Sequence, residues 1–117
     1  MEIREMKQQL VEVALSLYQR GLVVGSAGNM SVSLDDGTFL ATPTGSSFGS
    51  LREGDVSHFT KEGTILCGKA PTKEVPFHLA CYASHPQAKA VVHLHSTYAT
   101  LLASCEHLVD GQPFVPF

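Results

Sequence analysis

A chain of 117 residues, 44% hydrophobic and 16% charged, has the length and make-up of one folded domain and not of a disordered segment. Its formal net charge is −3 and no two of its Lys and Arg residues are adjacent, which excludes the clustered basic face of a nucleic-acid binder. Phosphate binding stays open, because backbone N–H groups hold phosphate without net positive charge.

No apolar run approaches the roughly 20 residues of a membrane span. The N-terminus, MEIREMKQQL, lacks the apolar stretch of a signal peptide. Cys67, Cys81 and Cys105 are odd in number and widely spaced, so they read as reduced thiols of a cytoplasmic protein.

Residues 2–20 place Ile3, Met6, Leu10, Val13, Ala14 and Leu17 at helical spacing, and Gly21 suits a helix stop. A glycine-rich loop follows, then an alternating strand from Met30 to Leu34. Asp35-Asp36-Gly37 signals a hairpin that returns over residues 38–42. Residues 42–50, TPTGSSFGS, are loop by composition. Val56 to Phe59 and Thr64 to Leu66 flank Lys61-Glu62-Gly63 and predict a second hairpin. Thr72 can cap a helix running to about Ser84, with Val75, Leu79 and Tyr82 on one side. Ala90 to His95 reads as a buried strand, and Ser96 can cap a short helix to about Ser104. Helix, antiparallel hairpins, then helix–strand–helix is a mixed α/β layout and not a regular parallel series. The apolar end, Phe114-Val115-Pro116-Phe117, is unusual for a solvated terminus.

The strongest chemical signal is Val91-Val92-His93-Leu94-His95-Ser96. Strand residues two apart share a face, so the two imidazoles can meet one divalent ion, and neutral imidazole suits zinc. Two unrelated histidines on a half-buried strand would give the same pattern. Glu74 stands at the start of the second helix, where it is either a first-turn charge favoured by the helix dipole or a general acid/base. Lys73 beside it is either a surface cation or part of an anion site. Gly25 to Ser31 and Thr42 to Ser47 offer hydroxyls and closely spaced N–H groups, which can form plain turns or cradle phosphate. His58, His78, His85 and His107 have no partner at ligand spacing and read as surface or satisfied structural histidines.

In order along the chain, GSAGNMS, TPTG, PTKE and VVHLHS resemble the successive motifs of the class II aldolase/adducin family. The resemblance covers residues 1–117 as the N-terminal portion of a single such domain. Within the family, ATPTGSS, APTKEVPFHLACY and KAVVHLHST look most like the 3-oxo-tetronate 4-phosphate decarboxylases, and Lys73 favours that branch. The resemblance implies a three-layer α/β/α sandwich on a mainly antiparallel sheet, assembled as a homotetramer with sites at subunit interfaces. It implies that His93 and His95 are two of three zinc ligands and Glu74 the catalytic acid/base. Ser26, Asn29, Thr44, Gly45 and Thr72 match positions that hold a substrate phosphate, and Lys73 falls in the same stretch. Ser33 departs from the aldolase pattern, which has Arg there.

The activity implied is decarboxylation of a phosphorylated 3-oxo sugar acid, 3-oxo-tetronate 4-phosphate, to a ketotriose phosphate through a metal-stabilised enediolate. A fuculose-phosphate-like aldolase would share the metal, the acid/base and the phosphate loops. A non-catalytic adducin-like interaction module, or an inactive fragment, is the alternative of another class. The partners implied are a small phosphorylated substrate and further copies of the chain, with no nucleic acid and no membrane. The family is about twice this long, and its third zinc histidine has no counterpart in these 117 residues. The expectation is therefore that this polypeptide alone holds zinc poorly, self-associates and turns over little.

Overall fold

The computed structural model describes residues 2–95. The expected short helix after Ser96, the apolar end, Cys105 and His107 all lie outside the described residues.

Helix α1 spans Ile3–Gln19 and ends where Gly21 takes the left-handed φ of 76°, which a side chain disfavours. Its inward stripe is centred on Leu10 and Ala14, flanked by Met6, Val11 and Leu17. Val13, expected inside, is exposed, and Val11 takes the inward place. At 100° per residue, Val11 lies about 60° beyond Ala14 and Val13 about 60° beyond Leu10 on the opposite side, and burial falls on the Val11 side.

Five strands follow: β1 Asn29–Ser33, β2 Phe39–Ala41, β3 Ser57–Phe59, β4 Ile65–Cys67 and, after helix α2 at Val75–Ser84, β5 Ala90–His93. They lie in the order β4-β3-β2-β1-β5, and every neighbouring pair is antiparallel. Both expected hairpins are present. A 3-10 turn, Glu53–Asp55, enters β3 and has no distinctive sequence signal.

The period-two alternation of strands splits the interior into two layers. Met30, Val32 and Leu40 face α1 and join Val23, Phe48, Leu51 and Val56 in one core. Phe39, Ala41 and Phe59 face the other way, beneath Val75, Leu79 and Tyr82 of α2. The fold is thus a helix–sheet–helix sandwich on an antiparallel sheet. Phe48 fills the α1-side core at 1% exposure. Phe48→Ala should cost about 3–5 kcal/mol, read as a lower urea midpoint with an unchanged slope.

Two local expectations change. The strand through His93 was expected to be buried, yet Val92 is 46% exposed and Ala90 is exposed. β5 pairs only with β1 among the described strands, so its apolar run covers an edge position. Thr72 was expected to cap α2, but the cap position falls on Glu74, and the Thr72 hydroxyl instead accepts the Glu74 N–H at 3.2 Å. Pro76 near the start of α2 fixes φ without losing a helical hydrogen bond.

Candidate active site

Antiparallel pairing brings one end of three strands together. Asn29 opens β1 directly opposite His93, where β5 ends, and the Thr42 N–H, just past β2, donates to the Met30 carbonyl at 2.9 Å. The Thr72 N–H donates to the Thr42 carbonyl at 2.9 Å, and the Thr44 N–H to the Ala70 carbonyl at 3.1 Å. The segment Ala70–Thr72 is thereby sewn to the loop Thr42–Gly45, and α2 begins immediately beyond it. Gly45 turns this loop with a φ of 70°.

Gly28 sits where backbone approaches backbone. A Cβ there would stand 2.9 Å from Val23 Cγ2 and 3.2 Å from the His93 carbonyl oxygen, at a φ of 84°. Gly28→Ala should therefore displace the β1–β5 junction, seen as shifted Asn29 and His93 amide resonances in an otherwise folded protein.

Of the expected ligands, His93 and His95 stand side by side, with ring centroids 5.1 Å apart and planes at 31°. Phe77 of α2 packs on the His93 ring at 5.0 Å. A zinc–nitrogen bond of about 2.0–2.1 Å puts a ligating ring centroid roughly 3.2 Å from the ion, so two rings on one tetrahedral ion stand about 5 Å apart. The pair fits a shared ion in both donor chemistry and spacing. Among the described residues no group of three or more His, Cys, Asp and Glu side chains gathers at metal-ligand range.

The expected phosphate residues divide. Thr44 and Gly45 line an open polar cavity of about 480 Å³ with Ser46, Ser47, Arg52 and Lys69. Thr72 is buried against the same loop, while Lys73 and Glu74 are exposed at the start of α2. Ser26 is exposed on the loop that leads into β1. Asn29 is buried, and both ends of its amide are engaged by imidazoles: Nδ2 lies 3.4 Å from His93 Nδ1, and Oδ1 meets His78 Nε2.

His78 is the residue the sequence reading left outside the site. It is 2% exposed, one helical turn after Glu74, and its Nδ1 lies 2.6 Å from Ser31 Oγ. Ser31 Oγ in turn lies 2.7 Å from the Tyr82 hydroxyl. Two periodicities produce this row: Asn29 and Ser31 share a strand face at i, i+2, while His78 and Tyr82 share a helix face at i, i+4. Buried polar residues at matching periods on facing elements were the available signal.

Burial pushes the His78 pKa below its ordinary 6.5, the neighbouring His93 adds to this, and Glu74 opposes it. His58, hydrogen-bonded to Thr38 at 2.8 Å on the other sheet face, is pushed down by burial and by Lys7, against Asp36. Both are satisfied structural histidines, and His85 is exposed. Because both folded pKa values are depressed, the unfolded chain takes up protons first. Stability should hold above pH 6.5 and fall as the pH drops below it, measurable as a lower urea midpoint at pH 5 than at pH 7.5.

Residues 8–115 match the class II aldolase and adducin N-terminal domain. The chain belongs to that family. It is 46% identical over 117 residues to 3-oxo-tetronate 4-phosphate decarboxylase of Escherichia coli O6:H1, covering 97% of this chain and 55% of the relative. It is 40% identical over 104 residues to L-fuculose phosphate aldolase of Methanocaldococcus jannaschii, covering 89% of this chain and 56% of the relative. The crystal structure of YgbL from Klebsiella pneumoniae superposes with a TM-score of 0.85 at 43% identity, over 93% of this chain and 53% of that one. This class II aldolase/adducin chain thus spans about half the length of the curated relatives it matches.

Proposed function

We propose that this chain carries the acid/base group and two metal ligands of a zinc-dependent lyase that decarboxylates 3-oxo-tetronate 4-phosphate to a ketotriose phosphate. The observation that carries the reading is the paired His93 and His95 imidazoles, 5.1 Å apart at the sheet end where β1 and β5 meet. The 46% identity to a decarboxylase of that name supports the substrate class.

His93 and His95 would hold the ion, with a third ligand supplied from beyond residues 2–95. Zinc bound there supplies Lewis acidity to the oxygens beside the breaking bond. The Thr42–Gly45 loop, Ser26, Thr72 and Lys73 would hold and orient the phosphate, their N–H groups and hydroxyls donating to its oxygens, while Asn29, expected among them, has its amide taken by His93 and His78. Such orientation is worth several kcal/mol by itself. Glu74, protonated, would deliver its proton to the carbon that has lost carbon dioxide and recover one from water. The active assembly would be a homo-oligomer, a tetramer in this reading, in the cytoplasm, with residues 1–117 forming part of one domain.

Aldol cleavage of a phosphorylated sugar is the second reading, favoured by the 40% identity to a fuculose phosphate aldolase. The same groups would serve it. The test supplies zinc to a longer chain that adds the third ligand and compares 3-oxo-tetronate 4-phosphate with fuculose 1-phosphate. Carbon dioxide release with a ketotriose phosphate supports the decarboxylase. Cleavage of the sugar phosphate without carbon dioxide selects the aldolase, and inactivity on both substrates in a zinc-loaded protein refutes the lyase reading.

A further inference from the structure

His93 does not meet solvent and substrate alone. Behind it runs a row of four side chains, each touching the next: the buried Asn29, His78 and Ser31, and the half-buried Tyr82. The amide and the two imidazoles have two consistent neutral settings, because each imidazole nitrogen is either a donor or an acceptor and an amide has one end of each sort.

Asn29 Nδ2 faces His93 Nδ1 and Asn29 Oδ1 faces His78 Nε2, and this orientation requires Nδ2 to donate to His93 and Oδ1 to accept from His78 Nε2–H. His78 Nδ1 then accepts from the Ser31 hydroxyl, which accepts from Tyr82. Neutral His93 must carry its proton on Nε2, so Nε2 has no lone pair to offer a metal. Turning the amide by half a rotation exchanges its donor and acceptor in the same space. His93 now keeps the proton on Nδ1, donates it to Asn29 Oδ1, and frees Nε2. The Asn29 Nδ2 donates to His78 Nε2, which forces the His78 proton onto Nδ1 and toward Ser31. Charge is unchanged throughout; only proton positions and one amide rotation differ.

We propose that Asn29, His78, Ser31 and Tyr82 are a positioning relay that sets which nitrogen of His93 is free, so that metal binding at His93 reverses the tautomer of His78. This rests on the metal reading for His93 and His95, whereas the relay itself does not. The energetic reason is that a mismatched setting would leave two donors or two acceptors facing each other at Asn29, Ser31 and His78, which are 1–6% exposed, at the cost of a buried unpaired polar group. Partners behind a metal-bound imidazole orient the ring and fix its tautomer. What this chain adds is a partner with two settings, tied to a second imidazole that does not touch the ion.

The experiment is long-range proton–nitrogen NMR of the chain labelled at imidazole nitrogen, first without metal and then with zinc sulfate added until His95 stops shifting. Without zinc, both His93 and His78 should carry the proton on Nε2. With zinc, the His78 proton should move to Nδ1. His78 retaining Nε2–H while zinc sits on His93 and His95 overturns the proposal. Asn29→Asp provides the arm that needs no metal. A carboxylate only accepts, so His93 should shift to Nδ1–H while His78 stays Nε2–H, and added zinc should no longer move the His78 proton. An unchanged His93 tautomer in folded Asn29→Asp also overturns the relay. If zinc perturbs neither His93 nor His95 but Asn29→Asp shifts the His93 proton as stated, the relay is upheld and the metal reading fails. Asn29→Ala should weaken zinc binding by about 10–100-fold, and Ser31→Ala, a smaller change, should release His78 from one tautomer without unfolding the chain.

Discussion

Glu74→Gln should lower turnover by about 10²–10⁴-fold in a complete, zinc-loaded version of the protein while zinc stays bound. Glu74 is exposed at the cap position of α2, with no side-chain hydrogen bond to the helix end. It therefore contributes little that Gln could not replace in stability, and the fold should be indifferent to the change. Gln keeps the size and polarity of Glu but cannot carry a transferable acidic proton. The loss should accordingly fall on kcat and leave substrate binding nearly intact, since the phosphate would be held by other groups. The measurement is steady-state kinetics beside zinc content per chain. Near-normal kcat in Glu74→Gln would reduce Glu74 to a first-turn charge that merely favours the helix dipole. Loss of zinc together with activity would instead mark it as a metal ligand.

The sequence made most of the fold legible, because its periods are clean where packing is strong. The Leu10–Ala14 stripe, the Asp36-Gly37 turn and the Val75–Leu79–Tyr82 face each answer to one dominant burial. Legibility failed where a neighbour decided the matter. The run Val91-Val92 reads as buried from hydropathy, yet its exposure depends on what lies along the far edge of β5. Thr72 has cap chemistry, but its backbone is claimed by the Thr42 carbonyl, and that contact spans thirty residues of sequence.

The site divides in the same way. His93 and His95 are close in sequence, and although the strand expected to reach His95 ends at His93, the two rings still stand together. His78 is separated from Asn29 by most of the sheet, so only the register of β1 beneath α2 brings them into contact. A histidine on an apolar helix face, read by itself, is a satisfied core residue, and His78 is that as well. Its second character arises because the residue that satisfies it is also hydrogen-bonded to a candidate ligand.

Replacing both His93 and His95 by Ala should abolish zinc binding, and either single change should weaken it by about 10²-fold or more. In four-ligand structural zinc sites a total of about 10–16 kcal/mol gives roughly 3 kcal/mol per ligand, and on that scale one histidine is worth about two decades in affinity. The fold should survive. His95 is exposed and follows the last residue of β5, and His93 is only partly buried, so neither truncation opens a core cavity. His85→Ala is the matched control, an exposed histidine after α2 that lines a separate hollow with Ser84, Pro86 and Gln87. Competition against a metal indicator gives the affinities, and urea unfolding gives the stabilities. The two effects are expected to separate cleanly, with affinity lost at His93 and His95 and nothing lost at His85. Undiminished zinc binding in the double variant would move the metal away from this strand end and leave the paired imidazoles without a chemical role, while equal losses from all three histidines would reveal only loose surface binding.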